Sequence, residues 1–245
     1  MRFKNSVSHI VILLTTLVLT ACGGGNDGAS NNDNNPATPG NPQATYQVTV
    51  SNITHAQVLT PLGIVLHRPG YSAWNAGSSV TVGLENLAES GDPSPFISEA
   101  DLNANVDATA AGTSPFTAGN SQTVTVTADA ASDLELTVAT MLANTNDALT
   151  GVTNWSVGSM QVGDVKTVMP HVFDAGTEDN IETAATMPGP AAGGEGFNAA
   201  RSVLTNVVTI HPGVVTQADG LATSALTEVD RWLGPAALIT VTRTQ

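Results

Sequence analysis

Valine and threonine alternate along much of this chain, and a period of two is the pattern of β-strands that bury one face. In the first such run, Tyr46, Val48 and Val50 alternate with polar residues. Similar runs cover residues 124–126, 134–142, 166–173, 203–210 and 239–241. Because β-branched residues fit a pleated surface and Gly-Asn, Pro-Gly and Asp-Gly pairs punctuate the gaps, the sequence predicts an all-β antiparallel sandwich.

Three further segments are predicted to form one more strand and two short helices. Residues 59–66 are predicted to form another strand, with Pro61 at an edge or a bulge. Residues 78–90 begin with serine, space their apolar residues as a helix does and stop at Gly91, which predicts a short helix. A second short helix is predicted over residues 98–105, so the sandwich should carry short helical insertions.

The N-terminus has the order of a secretory signal. Arg2 and Lys4 precede the apolar run 10–19, and the sequence Leu-Thr-Ala-Cys ends at Cys22. A small-residue site that ends in cysteine resembles a bacterial lipobox, so residues 1–22 are predicted to be a lipoprotein signal peptide and Cys22 the lipidated residue. The competing interpretations are a transmembrane anchor, which needs about 20 apolar residues, and a free thiol.

Residues 23–43 are rich in Gly, Asn and Pro and contain hardly any apolar residue, so they are predicted to be a disordered tether. Residues 44–245 are then one folded domain on a lipid bilayer. Gly23 directly after the lipidated cysteine favours the outer membrane of a Gram-negative cell envelope. Cys22 is the single cysteine, which excludes disulfides, zinc knuckles and thiol catalysis in the domain.

The charge balance limits the partners. The chain has 7 basic and 21 acidic residues; without Arg2 and Lys4 the mature chain has 5 against 21, a balance of −16. Such a chain repels phosphate backbones, so nucleic acid is not an expected partner, whereas cations and basic partners are favoured. The acidity is also compatible with a role in solubility alone.

Segment 174–180, DAGTEDN, follows a strand-like run and concentrates oxygen-bearing side chains. Hard cations such as Ca²⁺ take six to eight oxygen ligands, and Asp174, Glu178 and Asp179 supply several of them close together. Gly176 allows a sharp turn. The alternative is an ordinary polar turn, since the same residue types dominate turns; the EF-hand pattern is absent.

A second loop, residues 144–147 (NTND), also follows a strand-like run and ends at Asp147. Strands that run in the same direction deliver their following loops to the same end of a sandwich. We therefore expect Asp147 and Asp174 to meet around one Ca²⁺, in loops outside the packed core.

Five motifs together resemble the bacterial form of the spondin domain over residues 45–244. They are segments 141–147, 174–178, 194–197, 210–213 and 232–235. The resemblance implies a C2-like, calcium-binding β-sandwich that serves matrix and cell-surface adhesion, with Asp147, Asp174 and Glu178 at the ion. Two departures stand out: Glu178 occupies a position that is usually aspartate in animal members, and the domain lacks their disulfide.

Other residues are candidates for partner binding and for catalysis. Trp155 follows the first loop and is either a buried ring or a partner contact, since aromatic residues are enriched at binding hot spots. His171, Glu195 and His211, with Asp174, are the best candidates for a metal-assisted hydrolase. Their spacing matches none of the usual hydrolase, phosphate-loop or dinucleotide motifs. His55 and His67 are expected at exposed strand ends.

Three functions therefore remain open. The best supported is a non-enzymatic, lipid-anchored calcium-binding module that meets a protein or glycan at the cell surface. The second is a metal-assisted hydrolase that uses the histidines and carboxylates. The third is a structural envelope lipoprotein whose ion site has no role in binding.

The lipid anchor can be tested by changing Cys22 to serine, which removes the thiol that would carry the acyl chains. We expect the wild-type protein to fractionate with membranes and the Cys22→Ser protein to be released, because the domain itself has no other predicted anchor. Mass spectrometry of the wild-type N-terminus checks the modification. An unmodified thiol, or a variant that stays with the membrane, would refute the prediction.

Overall fold

A computed structural model of the chain describes residues 40–201 and 205–245. The predicted signal peptide, Cys22 and most of the predicted tether lie outside the described residues. The strands, in chain order, are β1 (Gln43–Asn52), β2 (Gly63–His67), β3 (Val106–Ala111), β4 (Ser121–Asp129), β5 (Glu135–Met141), β6 (Ala148–Ser156), β7 (Val165–Val168), β8 (Val172–Asp174), β9 (Thr209–Ile210) and β10 (Ala237–Arg243).

These strands form two antiparallel sheets. The first has the order β4-β1-β10-β7, and the second has the order β3-β2-β5-β6-β8-β9. The prediction of an all-β antiparallel sandwich with short helical insertions is confirmed. β1 pairs with both β4 and β10, which places the N-terminal and C-terminal strands of the domain side by side in the middle of the first sheet.

The first sheet follows the alternation seen in the sequence. In β1, Tyr46, Val48 and Val50 are fully buried. They pack against the second sheet in one hydrophobic cluster that includes Ile64 and Val138. On the opposite face, hydroxyl side chains of β1 and β4 hydrogen-bond across the strands, at 2.8 Å for the Ser51–Ser121 pair. Each fully buried aliphatic side chain stabilises the fold by about 1.5–3 kcal/mol.

The second sheet is buried on both faces, so its central strands do not alternate. All five residues of β2 are buried, as are six of the seven residues of β5. The outer face of this sheet is covered by α1 (Val82–Ser90) and α2 (Ser94–Ala100). A second hydrophobic cluster results, in which Leu84, Leu87 and Phe96 of the helices pack against Val65 and Ala139.

Both predicted helices exist, but their bounds differ from the prediction. α1 starts after Thr81, whose side chain accepts a hydrogen bond from the Leu84 N–H. Ser78 lies before the helix, and its carbonyl accepts a hydrogen bond from the Val208 N–H. α2 starts four residues before the predicted range; Pro93 is its N-cap and Pro95 lies in its first turn, where proline is favoured. Within the described residues, no helix has the length and hydrophobicity to cross a membrane.

The predicted strand over residues 166–173 is wrong as a single strand. The chain leaves the first sheet after β7 and enters the second at β8. Met169, Pro170 and His171 make the crossing, and Pro170 lacks the N–H that a continuous ladder would need. This crossing leaves β8 only three residues long.

Other strand bounds were also corrected. Of the predicted strand over 203–210, only Thr209–Ile210 is a strand, and residues 202–204 lie outside the described residues. β2 begins two residues after Pro61, and Leu59 makes isolated bridges instead. β3 and β6 were not predicted, because three alanines dilute the β-branched pattern in β3 and Gly151 interrupts β6.

His67 was expected at an exposed strand end and is instead fully buried at the end of β2. Its Nδ1 lies 3.1 Å from the carbonyl oxygen of Arg68 and its Nε2 lies 3.0 Å from Thr137 Oγ1. Burial lowers the pKa of His67 below its usual value, although the nearby Arg68 carbonyl and the Glu135 carboxylate oppose the shift. His55 is exposed, as predicted.

The buried histidine predicts a pH dependence of stability. Because the pKa of folded His67 is depressed, only the unfolded chain takes up this proton as pH falls through about 6.5, so its contribution to stability is lost on acidification. Between pH 7.5 and 5.5 the loss is at most about 1.4 kcal/mol. Urea unfolding should show that the wild type loses more stability than His67→Gln over this range, by at most this amount, because His211, whose pKa is also lowered, contributes equally to both proteins. His55→Gln serves as the exposed control, and equal pH profiles for wild type and His67→Gln would contradict the prediction.

Candidate cation site where two loops meet

The second sheet brings the two predicted loops together. β6 lies between β5 and β8 and is antiparallel to both, so β5 and β8 run in the same direction and their following loops emerge at one end. Ala148, at the start of β6, pairs with Asp174 at the end of β8. The Ala175 N–H then donates to the Asp147 carbonyl oxygen at 3.2 Å. Asp147 and Asp174 therefore lie on adjacent strands at the same edge.

Asp147 is the link between the loops. Its Oδ2 accepts hydrogen bonds from the N–H groups of Thr177 at 2.7 Å and of Glu178 at 3.1 Å. Its other carboxylate oxygen, Oδ1, is buried and has no hydrogen-bond partner among the described residues. One oxygen thus organises the 174–180 loop, and the second remains available to a ligand.

Asp174 shapes the loop from the other side. Its Oδ1 accepts from the Gly176 N–H at 2.7 Å, and its Oδ2 accepts from the Asn180 amide at 2.6 Å. Gly176 adopts a φ of 73°, in the left-handed region that favours glycine. Asp179 and Asn180 each bury one side-chain oxygen without a partner in the described part of the chain.

Glu178 makes contacts that differ from the predicted ligand role. Its carboxylate forms an ion pair with Arg201 and accepts a hydrogen bond from the Asn146 amide at 3.0 Å. Burial raises the pKa of Glu178 to about 8, against the lowering effects of Asn146 and Arg201. Its backbone N–H, by contrast, belongs to the Asp147 contact. In this structure the Glu178 carboxylate therefore stabilises the loop through its ion pair with Arg201.

Glu182 is a site residue that the sequence analysis missed. Its side chain is 1% exposed, and its Oε1 accepts from the Val215 N–H at 3.2 Å while Oε2 has no partner in the described residues. Burial raises the pKa of Glu182 to about 7, and the charges of Asp147 and Asp174 add to the rise. Glu182 therefore shares its surroundings with the two aspartates.

The sequence predicted that the two loops lie outside the packed core, and this prediction is wrong. Asn144, Thr145, Asn146 and Asp147 are all buried, and Asn146 and Asp147 are completely so. Burial, followed by the charge of Asp174, raises the pKa of Asp147 to about 7, because removal from water disfavours the ionised carboxylate. The site therefore concentrates acidic groups where water cannot screen them.

His211 lies beside this cluster but is poorly suited to bind a transition metal. Its Nδ1 accepts a hydrogen bond from the Gly213 N–H at 3.0 Å, which leaves the ring proton on Nε2. Burial lowers the pKa of His211 to about 4, with the charge of Asp174 opposing the shift, so the ring is neutral at physiological pH. Neither ring nitrogen then offers a free lone pair.

The other two predicted hydrolase residues lie apart from the carboxylates. His171 is exposed and lines a small cavity of about 140 Å³ together with His211 and Trp232. Glu195 is not part of that lining; its exposed carboxylate binds the Asn198 amide at 3.0 Å and faces Arg201 at 3.4 Å. The three residues thus do not form one cluster.

The donor set suits a hard cation better than a soft one. Five buried side-chain oxygens lack partners in the described residues; four belong to Asp147, Asp179, Asn180 and Glu182, and the fifth belongs to Glu89 of α1. No three His, Cys, Asp or Glu side chains within residues 40–201 and 205–245 stand together so as to hold a metal ion by themselves. An ion here would also draw on amide, backbone and water oxygens, as calcium sites do.

Trp155, the predicted partner contact, is half-buried near the end of β6. Its indole ring packs against the inter-sheet core, and the Lys166 ammonium lies 5.3 Å from the ring centroid. The ring thus belongs both to the core and to the surface.

No protein-family model matches the chain, and the search of curated proteins found no significant match. The resemblance to the spondin domain therefore stays a prediction that depends on the motifs quoted above.

The conformation of Gly176 yields a test of the loop. A Cβ at this position would collide with the backbone of residue 207, whereas a Cβ at Gly163, which also has positive φ, would meet no atom within 4 Å. Gly163→Ala should cost about 1–2 kcal/mol for the left-handed backbone alone. Gly176→Ala should cost more, measured by urea unfolding of both variants. Equal losses would show that the loop tolerates displacement and is not held as described.

Proposed function

We propose that this protein is a lipid-anchored, calcium-binding β-sandwich module of the cell envelope that binds a surface partner without catalysing a reaction. The ion would join the loop before β6 to the loop after β8. Asp147 and Asp174 are the carboxylates that would hold it, and amide, backbone and water oxygens would complete the set, because no three acidic side chains of the described residues form a ready-made site. Glu178 is retained as a candidate ligand only if Arg201 releases it.

One observation carries this proposal: buried acidic oxygens exceed the basic groups that could neutralise them. The described residues contain five basic side chains, of which Arg201 alone reaches this cluster. The others bind elsewhere: Arg68 to Asp107, Arg231 to Asp219, Arg243 to the Met160 carbonyl and Lys166 to the Ser156 carbonyl. Buried charge without a partner is strongly unfavourable, so a cation is the natural complement.

Calcium is favoured over zinc by the chemistry of the donors. Most of the unpartnered buried side-chain atoms are carboxylate and amide oxygens, which hard cations prefer, and the exception is the Nε2 of His211. The nearby imidazole of His211 has one nitrogen occupied by a backbone N–H and the other protonated. This arrangement speaks against the metal-assisted hydrolase, because zinc chemistry would need a free imidazole nitrogen.

When bound, Ca²⁺ would supply positive charge and a fixed geometry, and the protein supplies the rest of the site. The Thr177 and Glu178 N–H groups hold Asp147, and the Gly176 N–H holds Asp174, so both carboxylates are oriented before any ion arrives. Such preorganisation reduces the entropy cost of binding. The spondin resemblance and the predicted lipid anchor support the placement of this module at a cell surface.

The calcium site can be tested by thermal unfolding in chelator and in about 1 mM Ca²⁺. Extracellular modules bind Ca²⁺ with dissociation constants of about 10⁻⁴ to 10⁻³ M, which by linkage gives about 0.4 to 1.4 kcal/mol of stabilisation. For a domain of this size we expect the midpoint to rise by about 1 to 6 °C. Asp147→Asn and Asp174→Asn should abolish the rise.

The control is Asp133→Asn, which changes an exposed aspartate far from the loops and should keep the full calcium response. Elemental analysis of the purified protein distinguishes the calcium-binding module from the metal-assisted hydrolase. Tight zinc or manganese together with hydrolytic turnover would favour the hydrolase, and an unchanged midpoint in all proteins would remove the calcium site.

A further inference from the structure

A groove lies along an open stretch of β6, away from the cation site. β8 pairs only with Ala148, Leu149 and Thr150 of β6. The following residues, from Gly151 to Trp155, therefore have no strand partner on that side within the described chain. They form one wall of a groove with a volume of about 310 Å³.

Aromatic rings make up much of the remaining lining, contributed by Trp74, Trp155, His171 and Phe173. The Trp74 and Phe173 rings meet edge to face with centroids 5.9 Å apart. The Lys166 ammonium lies over the Trp155 ring and also donates to the Ser156 carbonyl at 2.6 Å. These contacts fix the rings before any ligand binds.

A β-bulge provides the polar part of the same wall. The register between β5 and β6 shifts so that Thr153 and Asn154 together face one position of β5, and Asn154 adopts a φ of 57°. Its amide donates to Ser72 Oγ at 3.1 Å, and its Oδ1 accepts from Thr153 Oγ1 at 3.2 Å. Asparagine is one of the few non-glycine residues that adopt this left-handed conformation readily, so it suits the bulge.

The bulge also decides which kind of ligand fits. An extended peptide that added a strand to β6 would need a regular row of N–H and C=O groups, and a bulge interrupts that row and twists the edge away. The groove instead offers ring faces beside an amide, a hydroxyl and an imidazole. This mixture suits a ligand with apolar C–H faces and hydroxyl edges.

The charges of the groove and of the whole molecule further limit the chemical class of the ligand. The residues that line the groove include no Asp, Glu, Lys or Arg, although the mature chain has 21 acidic residues against 5 basic ones. An acidic ligand would be repelled by the net charge of the molecule, and the nearby Lys166 ammonium is already held by the Ser156 carbonyl and the Trp155 ring. The volume lies at the small end of ligand sites, about 300–1,000 Å³.

We infer that the groove binds a neutral pyranose unit of a glycan, with Trp155 and Phe173 as the ring-stacking walls and Asn154 as a hydroxyl-binding residue. This inference rests on the proposed function for its biological setting, because it names the class of surface partner. The groove itself is separate from the calcium ligands, so the two can fail independently.

The experiment uses the purified full-length protein in a detergent without a sugar head group. Tryptophan fluorescence and saturation-transfer NMR are recorded with methyl glycosides of glucose, galactose, mannose and N-acetylglucosamine. Glucuronic acid is the charged comparison, and a blocked apolar tetrapeptide is the peptide comparison. We expect saturable binding of at least one neutral glycoside, and no saturable binding of glucuronic acid or of the peptide.

Two variants assign the binding to the groove. Trp155→Ala should weaken the glycoside by about tenfold, equivalent to about 1.4 kcal/mol. Asn154→Gly is compatible with the positive φ, so it preserves the fold while removing the amide, and it should also weaken binding. The matched control is Trp232→Phe, an aromatic change outside the groove, which should leave binding unchanged.

The calcium response, measured as the shift in unfolding midpoint, is recorded on the same samples. A calcium response without any glycoside binding overturns this inference and leaves the calcium site standing. Glycoside binding without a calcium response supports the inference about the groove and refutes the proposed calcium site. Preferential binding of the peptide, or glycoside binding that both groove variants retain in full, overturns the inference.

Discussion

The carboxylate of Asp147 is the contact on which this end of the domain depends. It is completely buried, and one of its oxygens holds two consecutive N–H groups of the loop that follows β8. Loss of that acceptor would leave buried donors unpaired, at about 1–3 kcal/mol each. The same burial makes the charge itself unfavourable, which raises the pKa of Asp147 to about 7. The fold thus needs an acceptor at this position, although burial disfavours the ionised form of that acceptor.

Sequence pattern predicted the strands whose two faces differ in solvent exposure. β1 and β10 alternate because one face meets the core and the other meets water, so their periodicity is visible in the sequence. β2 and β5 are buried by the helices on one face and by the first sheet on the other, and periodicity alone could not show where they begin. The crossing between β7 and β8 was not predicted because apolar residues flank Pro170 on both sides and resemble one continuous strand. Only the long-range pairing of each part decides which sheet it joins.

The site shows the same division between local and long-range information. Spacing and turn chemistry predicted that Asp147 and Asp174 would meet, since both follow strands of one direction. The contact between Glu178 and Arg201 joins residues far apart in the sequence, and no local signal marks it. Glu182 was overlooked because it stands alone after Ile181, whereas its burial comes from the segment around Val215. The burial of such an acidic residue can be recognised only when the distant segment that packs over it is known.

The short length of β8 accounts for both proposed binding regions. Because β8 stops pairing after three residues of β6, the bulged stretch that ends at Trp155 is left open as a groove. Successive side chains of a strand point to opposite faces. Phe173 accordingly lines the groove while Asp174 turns to the acidic loops. Whatever fixes Asp174 therefore also fixes the backbone that positions Phe173, so the two regions share one strand although they share no ligand.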